Sequence, residues 1–486
     1  MTLVLLLTLP WLIALAHLLP IPKHRSFDWF SVVGYFLQLL LAIHLLGQVQ
    51  PDQRRLFAGG WFAVDALNLY FVVLTCLVAW TTSLFAVPYL RVERERGRLT
   101  NLRLRLFHSM YGVLVGMMLL CLTTNHLGVL WVALEAATLS AVLMVAMYRT
   151  PASFEAAWRY FILGGIGILL ALFAVILIDL AATQKGLIGN HALQLDILWA
   201  NRQNLNPMLM AVAFVFALAG LGTKSGLVPW HSWLPGAHAE GPTPISAVLS
   251  GLLLNVAFYA LLRFKALAEG SLHSHWPDMV LLVFGLMSVL AGVLRMRAQQ
   301  DVKRLFSYSS IEHMGLISIG ISLNNPVAHA AALLHILLHA LVKSSIFFSV
   351  GHAVQKTRTQ SLAHIRGLMH ASGRIGWGLL LGTLAIAGLP PFGLFRSEFL
   401  ILRVAAAEQP WLLPLLLLAL WLALLNLLTP VQEMVWGDPL PGLQQLSYRP
   451  VRLPMLLHLG IALVIGLYMP VQFWQSLLYA AAWVSG

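Results

Sequence analysis

The chain has 486 residues, of which 59% are hydrophobic and only 10% are charged. A soluble domain typically carries about 25% charged residues, so this chain cannot cover itself with a polar surface in water. The composition therefore excludes a soluble enzyme and predicts a protein whose solvent is the lipid bilayer. The net charge of +12 favours the basic inner loops of a membrane protein over a nucleic-acid partner.

Apolar runs follow one another along the whole chain. A helix needs about 20 mostly apolar residues to cross the hydrocarbon layer. By that measure we predict an all-α polytopic membrane protein with about fourteen transmembrane helices. The predicted spans lie near residues 2–21, 29–50, 61–90, 106–124, 126–148, 160–183, 207–231, 242–264, 278–297, 305–323, 327–354, 376–405, 411–430 and 454–483.

The basic residues predict the orientation of these spans. Lysine and arginine concentrate in every second predicted loop, most densely in Arg91–Arg105 and Arg295–Arg304, whereas the alternate loops hold fewer, among them Arg263 and Lys265. The positive-inside rule assigns the basic loops to the cytoplasm. Because the number of spans is even, both termini are expected on the periplasmic side of a bacterial inner membrane.

The sequence offers little for a cofactor. The two cysteines, Cys76 and Cys121, lie in apolar runs, and no Cys-x-x-Cys pair or glycine-rich phosphate loop occurs. Iron–sulfur, structural zinc and nucleotide sites are therefore not indicated. Most of the 18 histidines are scattered through loops and helix ends. We expect that the chain binds no cofactor, no metal and no nucleic acid.

Four charged residues fall deep inside predicted spans: Glu135, Lys224, Lys343 and Glu398. Each costs roughly 2.5–3.5 kcal/mol to insert at a helix centre, so such residues usually face protein or water. They are either salt bridges that lock helices together or stations of an ion path. Because buried pairs often add little stability relative to apolar packing, we favour the path. For Asp65, nearer a span end, a solvated structural role is at least as well supported as a place on the path.

Glycine and proline interrupt two spans beside these charges. Gly226 and Pro229 follow the lysine of the seventh span, and Pro390 and Pro391 precede the glutamate of the twelfth. Paired breaks of this kind point to an ion site between inverted repeats. We predict two inverted five-helix repeats, spans 4–8 and 9–13, with broken helices 7 and 12. On this prediction, residues 1–105 form the N-terminal helices and residues 106–264 form the first repeat. Residues 278–430 form the second repeat, and residues 431–486 form the C-terminal helix region.

Histidines at helical spacing extend the charged set. His335, His339 and Lys343 are four residues apart and therefore lie along one face of the eleventh span. Histidine titrates near neutral pH, so we predict a proton relay, although either histidine alone is as well explained as a hydrogen-bonded core residue. His313, in the tenth span, is predicted to bridge this face to the rest of the core. Two further histidines flank the break in the seventh span and are predicted to carry protons toward a surface or to brace that loop: His231 and His238.

Four segments resemble the antiporter-like subunits of respiratory complex I, which have relatives in membrane-bound hydrogenases and multi-subunit cation/proton antiporters. The segments are KSGLVPWHSWLPGAHAEGPTPISAVLSG (224–251), DVKRLFSYSSIEHMG (301–315), HALVKSSIFFSVGH (339–352) and GLPPFGLFRSEFL (388–400). The resemblance covers spans 4 to 12. Within that family the chain is most similar to hydrogenase-4 membrane component F.

The resemblance implies roles for individual residues. Glu135 matches the glutamate that pairs with the lysine of the seventh span, here Lys224. Lys343 and its histidines match the central axis, and Glu398 matches the acidic form of the residue at the exit. Asn255 departs from the family, because it stands where lysine is common and asparagine cannot hold a proton. Either a water chain past the neighbouring histidines replaces that step, or the path is interrupted.

The resemblance also implies a function. The chain is expected to be a proton-translocating membrane subunit of an oxidoreductase complex, beside other membrane subunits and a peripheral redox arm such as a nickel–iron hydrogenase. It has no redox centre of its own, so partner chemistry would drive it. Two alternatives stay open. The same path can serve cation/proton exchange or proton-coupled uptake of inorganic carbon, or the chain is a non-pumping membrane anchor.

Overall fold

A bundle of helices makes up nearly all of the protein. The computed structural model describes residues 1–19, 27–50, 52–439 and 452–484; the loops predicted between spans 1 and 2 and between spans 13 and 14 lie largely outside the described residues. In chain order the α-helices are α1 Thr2–Leu18, α2 Phe27–Leu46, α3 Ala66–Glu95, α4 Asn101–Thr123, α5 Leu127–Val145, α6 Pro151–Thr183, α7 Leu195–Asn201, α8 Pro207–Ser225, α9 Leu234–Glu240, α10 Thr243–Val248, α11 Leu254–Leu272, α12 Trp276–Met296, α13 Val302–Ser322, α14 Pro326–Thr357, α15 Leu368–Ile386, α16 Gly393–Glu408, α17 Leu412–Trp436, α18 Leu453–Leu467 and α19 Val471–Ala481. Two short strands, β1 Arg55–Phe57 and β2 Phe62–Val64, form an antiparallel hairpin between α2 and α3.

Helices occupy the position of every predicted span, and the chain is a multi-pass membrane protein. Within the described residues, ten helices are long and apolar enough to cross a bilayer, or eleven if the bent pair α18–α19 counts as one span. The pairs α8–α9 and α10–α11 each count as one of the ten, whereas α1 is shorter. The count of fourteen and the inverted repeats remain predictions.

The polar helix α13 shows why hydropathy alone undercounts the bundle. It carries Lys303, Glu312 and His313, and all three side chains are buried. The helix packs against α12 on one side and α14 on another. A helix surrounded by other helices does not meet lipid, so it need not be apolar to lie at membrane depth.

Glycines allow two helix pairs to pack closely. A Cβ on Gly220 of α8 would lie 2.4 Å from the carbonyl oxygen of Gly167 in α6. A Cβ on Gly315 of α13 would lie 2.6 Å from the carbonyl oxygen of Gly285 in α12. Small residues at helix crossings let backbones approach inside a membrane. These contacts fix the positions of α8 and α13, which both carry charged residues.

Asp65 is buried and paired, which corrects the expectation of a solvated role. Its side chain is the N-cap of α3 and accepts a hydrogen bond from the backbone of Asn68 at 3.0 Å. The guanidinium of Arg263 donates to both carboxylate oxygens, at 2.7 and 2.5 Å. The expectation that Arg263 lies in an outer loop was also wrong, because α11 continues through it to Leu272.

Lys265 is a second residue expected in that loop and found buried in α11. Its ammonium lies 2.5 Å from Glu269 and 2.8 Å from Asp278. The eighth span was predicted to end too early because the prediction relied on apolar residues alone. The charged residues in its last turns are paired within the protein and need no water.

The C-terminal span is not one straight helix. Residues 454–483 were predicted as a single span, but α18 and α19 meet at 96°. Tyr468 leaves the helical conformation and Pro470 precedes the first turn of α19. Beyond α19, the ring of Trp483 lies 5.7 Å from that of Trp199. This last turn therefore packs beside the end of the bundle that holds α7.

The Asp65–Arg263 pair gives a stability prediction. Arg263→Met should lower the free energy of unfolding by about 3 kcal/mol, because the Asp65 carboxylate would remain charged in a buried site. This loss of stability is at the lower end of the range for broken buried ion pairs. Arg54 lies 3.9 Å from the same carboxylate and would still offset part of its charge. Denaturant unfolding in mixed micelles measures the change.

The matched control is Arg366→Met, which removes an exposed arginine paired with Glu433. Exposed pairs contribute at most about 1 kcal/mol, so this variant should unfold almost like the parent. Equal losses in the two variants would contradict a stabilising role for the buried pair.

Candidate functional site

Lys224 and Glu135 form an ion pair between α8 and α5. The lysine ammonium lies 3.0 Å from the glutamate carboxylate and donates a hydrogen bond to Thr138 Oγ1 at 2.8 Å. Lys224 is 1% exposed and Glu135 is 21% exposed. Gly164 in α6 leaves room for the ammonium, since a Cβ there would lie 3.2 Å from Nζ.

The break of the seventh span follows directly after Lys224. Helix α8 ends at Ser225, and Gly226 has a φ of 76°, the left-handed conformation that commonly ends helices at glycine. The backbone groups released by the break find side-chain partners. Trp233 Nε1 donates to the Thr223 carbonyl at 2.8 Å, and the Val228 amide donates to Ser288 Oγ at 2.9 Å.

Proline and two histidines occupy the connection from α8 to α9. Pro229 lies in the break, and the His231 side chain after it is partly exposed. His238, in α9, is fully buried and its ring stacks on Phe347 of α14 with 5.0 Å between centroids. His238 also interacts electrostatically with Lys343. The break therefore brings a histidine from the Lys224 side toward α14.

His335, His339 and Lys343 all lie on α14 with fully buried side chains, as their spacing predicts. The ammonium of Lys343 donates to the carbonyl of Phe306 in α13 at 2.8 Å. Neither ring nitrogen of His339 has a hydrogen-bond partner among the described residues. This face of α14 therefore presents titratable groups that the surrounding side chains leave only partly satisfied.

His313 joins this face from α13, which agrees with its predicted bridging position. Its Nδ1 lies 3.0 Å from His335 Nε2, and its ring centroid lies 5.3 Å from that of His339. Its other nitrogen lies 3.4 Å from the carboxylate of Glu312. Three histidines from two helices thus form one cluster.

Glu398 completes the cluster from the break of the twelfth span. Helix α15 ends at Ile386 and α16 begins at Gly393, with Pro390 and Pro391 between them. One oxygen of Glu398 and one nitrogen from each of His313 and His335 lie within 4.8 Å of one another.

Gly388 makes room for this carboxylate. A Cβ on Gly388 would lie 1.8 Å from Glu398 Oε2, so no larger residue fits without displacing the carboxylate. The φ of Gly388 is 66°, a conformation that L side chains rarely adopt. Both requirements explain the glycine in this break.

Asn255 lies buried in α11, beside a π-helical turn. The turn covers Leu249–Leu253, and Asn255 Nδ2 donates to the Gly251 carbonyl at 2.8 Å. The Asn255 Oδ1 atom is buried and has no partner among the described residues. A side chain on Gly251 would meet Ser344 Oγ at 2.6 Å, so the turn packs directly on α14. The amide therefore offers one free acceptor in the core.

Glu312 is the functional candidate that the sequence analysis missed. It is 1% exposed, and its Oε1 has no hydrogen-bond partner among the described residues. It interacts electrostatically with both Lys343 and Glu398. The signal was present in the sequence, because Glu312 lies in the middle of the predicted span 305–323 and meets the same criterion as the four charges chosen there.

Most of the predicted residues thus form two clusters. Glu135 and Lys224 make the first, and the second holds His313, the α14 face and Glu398, together with the unpredicted Glu312. His231, His238 and Asn255 lie in neither cluster. No hydrogen bond between described residues joins Lys224 to the second cluster. A multi-pass bundle with two buried acid–base clusters, each beside a broken helix, defines an ion-translocating membrane protein.

The comparisons with known proteins place the chain in a family. Residues 124–423 match the model of the NADH:quinone oxidoreductase/Mrp antiporter transmembrane family, and the chain belongs to that family. It is 44% identical over 450 residues to the hydrogenase-4 component F homolog of Methylacidiphilum infernorum (isolate V4), covering 93% of each chain. The resemblance found in the sequence is therefore confirmed.

Solved structures share the fold over nearly the whole chain. A subunit of the archaeal membrane-bound sulfane sulfur reductase superposes with a TM-score of 0.88 at 24% identity, covering 99% of this chain and 97% of that one. A subunit of respiratory complex I from Thermus thermophilus superposes with a TM-score of 0.82 at 25% identity, covering 99% of both chains.

The Lys224–Glu135 pair gives a second stability prediction. In a double-mutant cycle with Lys224→Met and Glu135→Gln, we expect a coupling energy of about 1–3 kcal/mol, because the two groups contact each other with one partner buried. The exposed pair Arg159–Glu155 on α6 serves as the control and should couple by less than about 0.5 kcal/mol. Denaturant unfolding in mixed micelles supplies the four free energies of each cycle. Additive effects at Lys224 and Glu135 would show that the pair is not formed in the membrane.

Proposed function

We propose that the chain translocates protons across the membrane as one subunit of a multi-subunit oxidoreductase complex. The observation that carries the proposal is the pair of buried acid–base clusters beside helix breaks at membrane depth. Charged side chains are costly there and mark ion pathways. The 44% identity to a hydrogenase-4 component F homolog supports the same assignment.

Protons are taken up from the cytoplasmic side near the break between α8 and α9. His231 is partly exposed at this break, and Lys224 lies in the last turn of the helix before it. Glu135 acts as a switch. Its contact with Lys224 favours the charged lysine, and separation of the two leaves the lysine in a desolvated site that favours proton release.

The proton then reaches the second cluster. Lys343, His339 and His335 lie in order along α14, and His313 contacts His335. Imidazole accepts a proton at one nitrogen and releases it from the other, so successive rings can pass it on. The route from Lys224 passes Asn255 and His238, which together offer a free acceptor and a buried ring between the clusters.

Glu398 releases the proton toward the periplasm. The break between α15 and α16 surrounds its carboxylate with non-helical backbone, which is tolerated at membrane depth where it lines a polar cavity. Glu312 lies within the electrostatic range of both Lys343 and Glu398. Its carboxylate stabilises positive charge on the histidines between them.

Partner subunits supply the energy. Moving one charge against 100 mV costs about 2.3 kcal/mol. In this proposal the chain holds no redox group of its own, so it cannot provide that energy itself. Relatives of known structure belong to multi-subunit complexes, which supports other membrane subunits as partners. A peripheral arm of the nickel–iron hydrogenase type is the proposed driver. The proposed location is the bacterial inner membrane with both termini in the periplasm.

The path predicts which substitutions stop transport. In membrane vesicles that contain the whole complex and are supplied with H₂, Lys224→Ala and Glu398→Gln should each reduce proton uptake to background, because each removes a group that holds the moving proton. Quenching of a pH-sensitive acridine dye measures the uptake. Glu433→Gln, which removes an exposed carboxylate of α17, should leave uptake unchanged. Undiminished pumping in both core variants would refute the path.

A second candidate function is cation/proton exchange, which the family description favours because it includes Mrp antiporters. Lysine and carboxylate groups can serve either ion, so the clusters themselves do not separate the two functions. A non-pumping anchor is a third candidate, with Asn255 as its support, but it leaves the buried clusters without a purpose.

Sodium dependence separates the first two functions. If the chain pumps protons alone, replacing all Na⁺ by choline in the same vesicles should change the initial rate of H₂-driven proton uptake by less than about twofold, because no step needs a second ion. An imposed Na⁺ gradient without H₂ should then drive no proton movement. Proton movement driven by the gradient, and lost in Lys224→Ala, would establish exchange instead.

A further inference from the structure

The cluster at Glu398 has the ligands of a transition-metal site. Imidazole nitrogen and carboxylate oxygen come from three different helices, α13, α14 and α16, through His313, His335 and Glu398. One donor atom from each lies within 4.8 Å of the others, and all three side chains are buried. Two histidines and one glutamate, with a fourth position open, are a common ligand set for zinc.

One of the two histidines is already oriented by its other nitrogen. His335 Nδ1 lies 2.9 Å from Ser397 Oγ, which leaves Nε2 facing the cluster. His313 Nε2 lies 3.4 Å from the Glu312 carboxylate but makes no hydrogen bond among the described residues. Metal-binding histidines almost always make a second contact to a carboxylate, carbonyl or hydroxyl group. The geometry therefore includes one supporting hydrogen bond and places a carboxylate near the second histidine.

The cluster also has unsatisfied donor atoms. Glu398 Oε1 is buried with no hydrogen-bond partner among the described residues, and the same is true of both nitrogens of His339. His339 lies beside His313, with 5.3 Å between ring centroids. His313 Nδ1 and His335 Nε2 are 3.0 Å apart. A zinc ion bound at about 2.0–2.1 Å from each nitrogen would hold them about 3.3 Å apart, so the rings need to move little.

Charge favours a divalent ion in this position. The carboxylates of Glu398 and Glu312 are both buried. Glu312 interacts electrostatically with Lys343, whereas Glu398 Oε1 has no hydrogen-bond partner among the described residues. A buried carboxylate without a partner is costly, so an ion that binds Glu398 relieves that cost. Nitrogen ligands select zinc and similar transition metals over magnesium or calcium, which prefer oxygen.

We propose that His313, His335 and Glu398 bind one zinc-type divalent ion, with His339 or water in the fourth position. The ion displaces the proton shared by the two histidine nitrogens and occupies the site through which Glu398 releases protons. Bound zinc therefore inhibits proton translocation. The inhibition rests on the proposed function, whereas the binding does not.

Cobalt tests the binding, because tetrahedral Co²⁺ absorbs visible light. The full chain in lipid nanodiscs should bind one Co²⁺, and Zn²⁺ should displace it. His335→Gln and Glu398→Gln should lose the absorption band, and Glu312→Gln should bind on the order of 10- to 100-fold more weakly, because it keeps every ligand and loses a supporting contact. Circular dichroism checks that each variant is folded.

The matched control is His458→Gln. His458 is a buried histidine of α18 whose two ring nitrogens contact Thr81 and Leu341, so its loss should not change the cobalt band. No band in the parent chain would overturn the site. The proposed site would also be overturned if His335→Gln and Glu398→Gln, both folded, kept the cobalt band unchanged. The same holds if Glu312→Gln and one of those two variants kept it unchanged.

Inhibition is measured separately in the vesicles that contain the whole complex. Zn²⁺ should lower the rate of H₂-driven proton uptake, and the concentration for half inhibition should rise on the order of 10- to 100-fold in Ser397→Ala, which removes the hydroxyl that contacts His335 Nδ1 and keeps every ligand. Electron transfer measured with an uncoupler present controls for zinc acting on partner subunits. Equal sensitivity in the parent and Ser397→Ala would overturn the inhibitory role. If the vesicles take up no protons even without zinc, the proposed function fails while the cobalt result still decides the site.

Discussion

The cost of placing a charge in hydrocarbon determines how this bundle is organised. Lys224 and Lys343 are both buried at membrane depth, and each is held by oxygen atoms of neighbouring helices. Those oxygens lie on helix faces that are turned toward other helices, so polar residues concentrate toward the middle of the bundle. In the most apolar stretch of α14, 94% of the residues are buried. In the most apolar stretch of α10–α11, all of them are buried. The apolar helices around them, such as α17, meet the lipid instead. The charged residues therefore determine which helices are central.

The helix breaks follow from the same cost. Ending a helix inside the membrane exposes backbone groups that lipid cannot satisfy. At the first break, Trp233 and Ser288 supply hydrogen bonds to that backbone. At the second, α18 approaches so closely that a Cβ on Gly466 would lie 2.0 Å from the Pro391 carbonyl oxygen. Neighbouring helices therefore contact each break, although Pro229, Pro390 and Pro391 are exposed in the isolated chain, and each break lies within two turns of a titratable side chain. The two breaks use different supporting contacts to produce a similar arrangement.

The sequence predicted the helices and the buried charges because both depend on local composition. Apolar runs, glycine–proline breaks and the four-residue spacing on α14 are visible without any contact information. The pairing of Asp65 with Arg263 was not predictable in this way, because it joins α3 to α11 across almost 200 positions. The bend before α19 was missed because hydropathy does not report direction. Glu312 meets the same criterion of burial within a span as the four predicted charges, but its proximity to Lys343 and Glu398 depends on how α13 packs against α14, which the sequence does not show.

The asparagine at position 255 changes how charge is distributed along the axis. A lysine there would add a positive charge to the buried core, in a region where screening by water is weak. The amide adds none, and its Nδ2 donates to the carbonyl of Gly251 in the π-helical turn that precedes it. An asparagine can accept and donate hydrogen bonds but cannot keep a proton. On the proposed path, a proton passing this point cannot pause there, so transfer between the two clusters would be a single step.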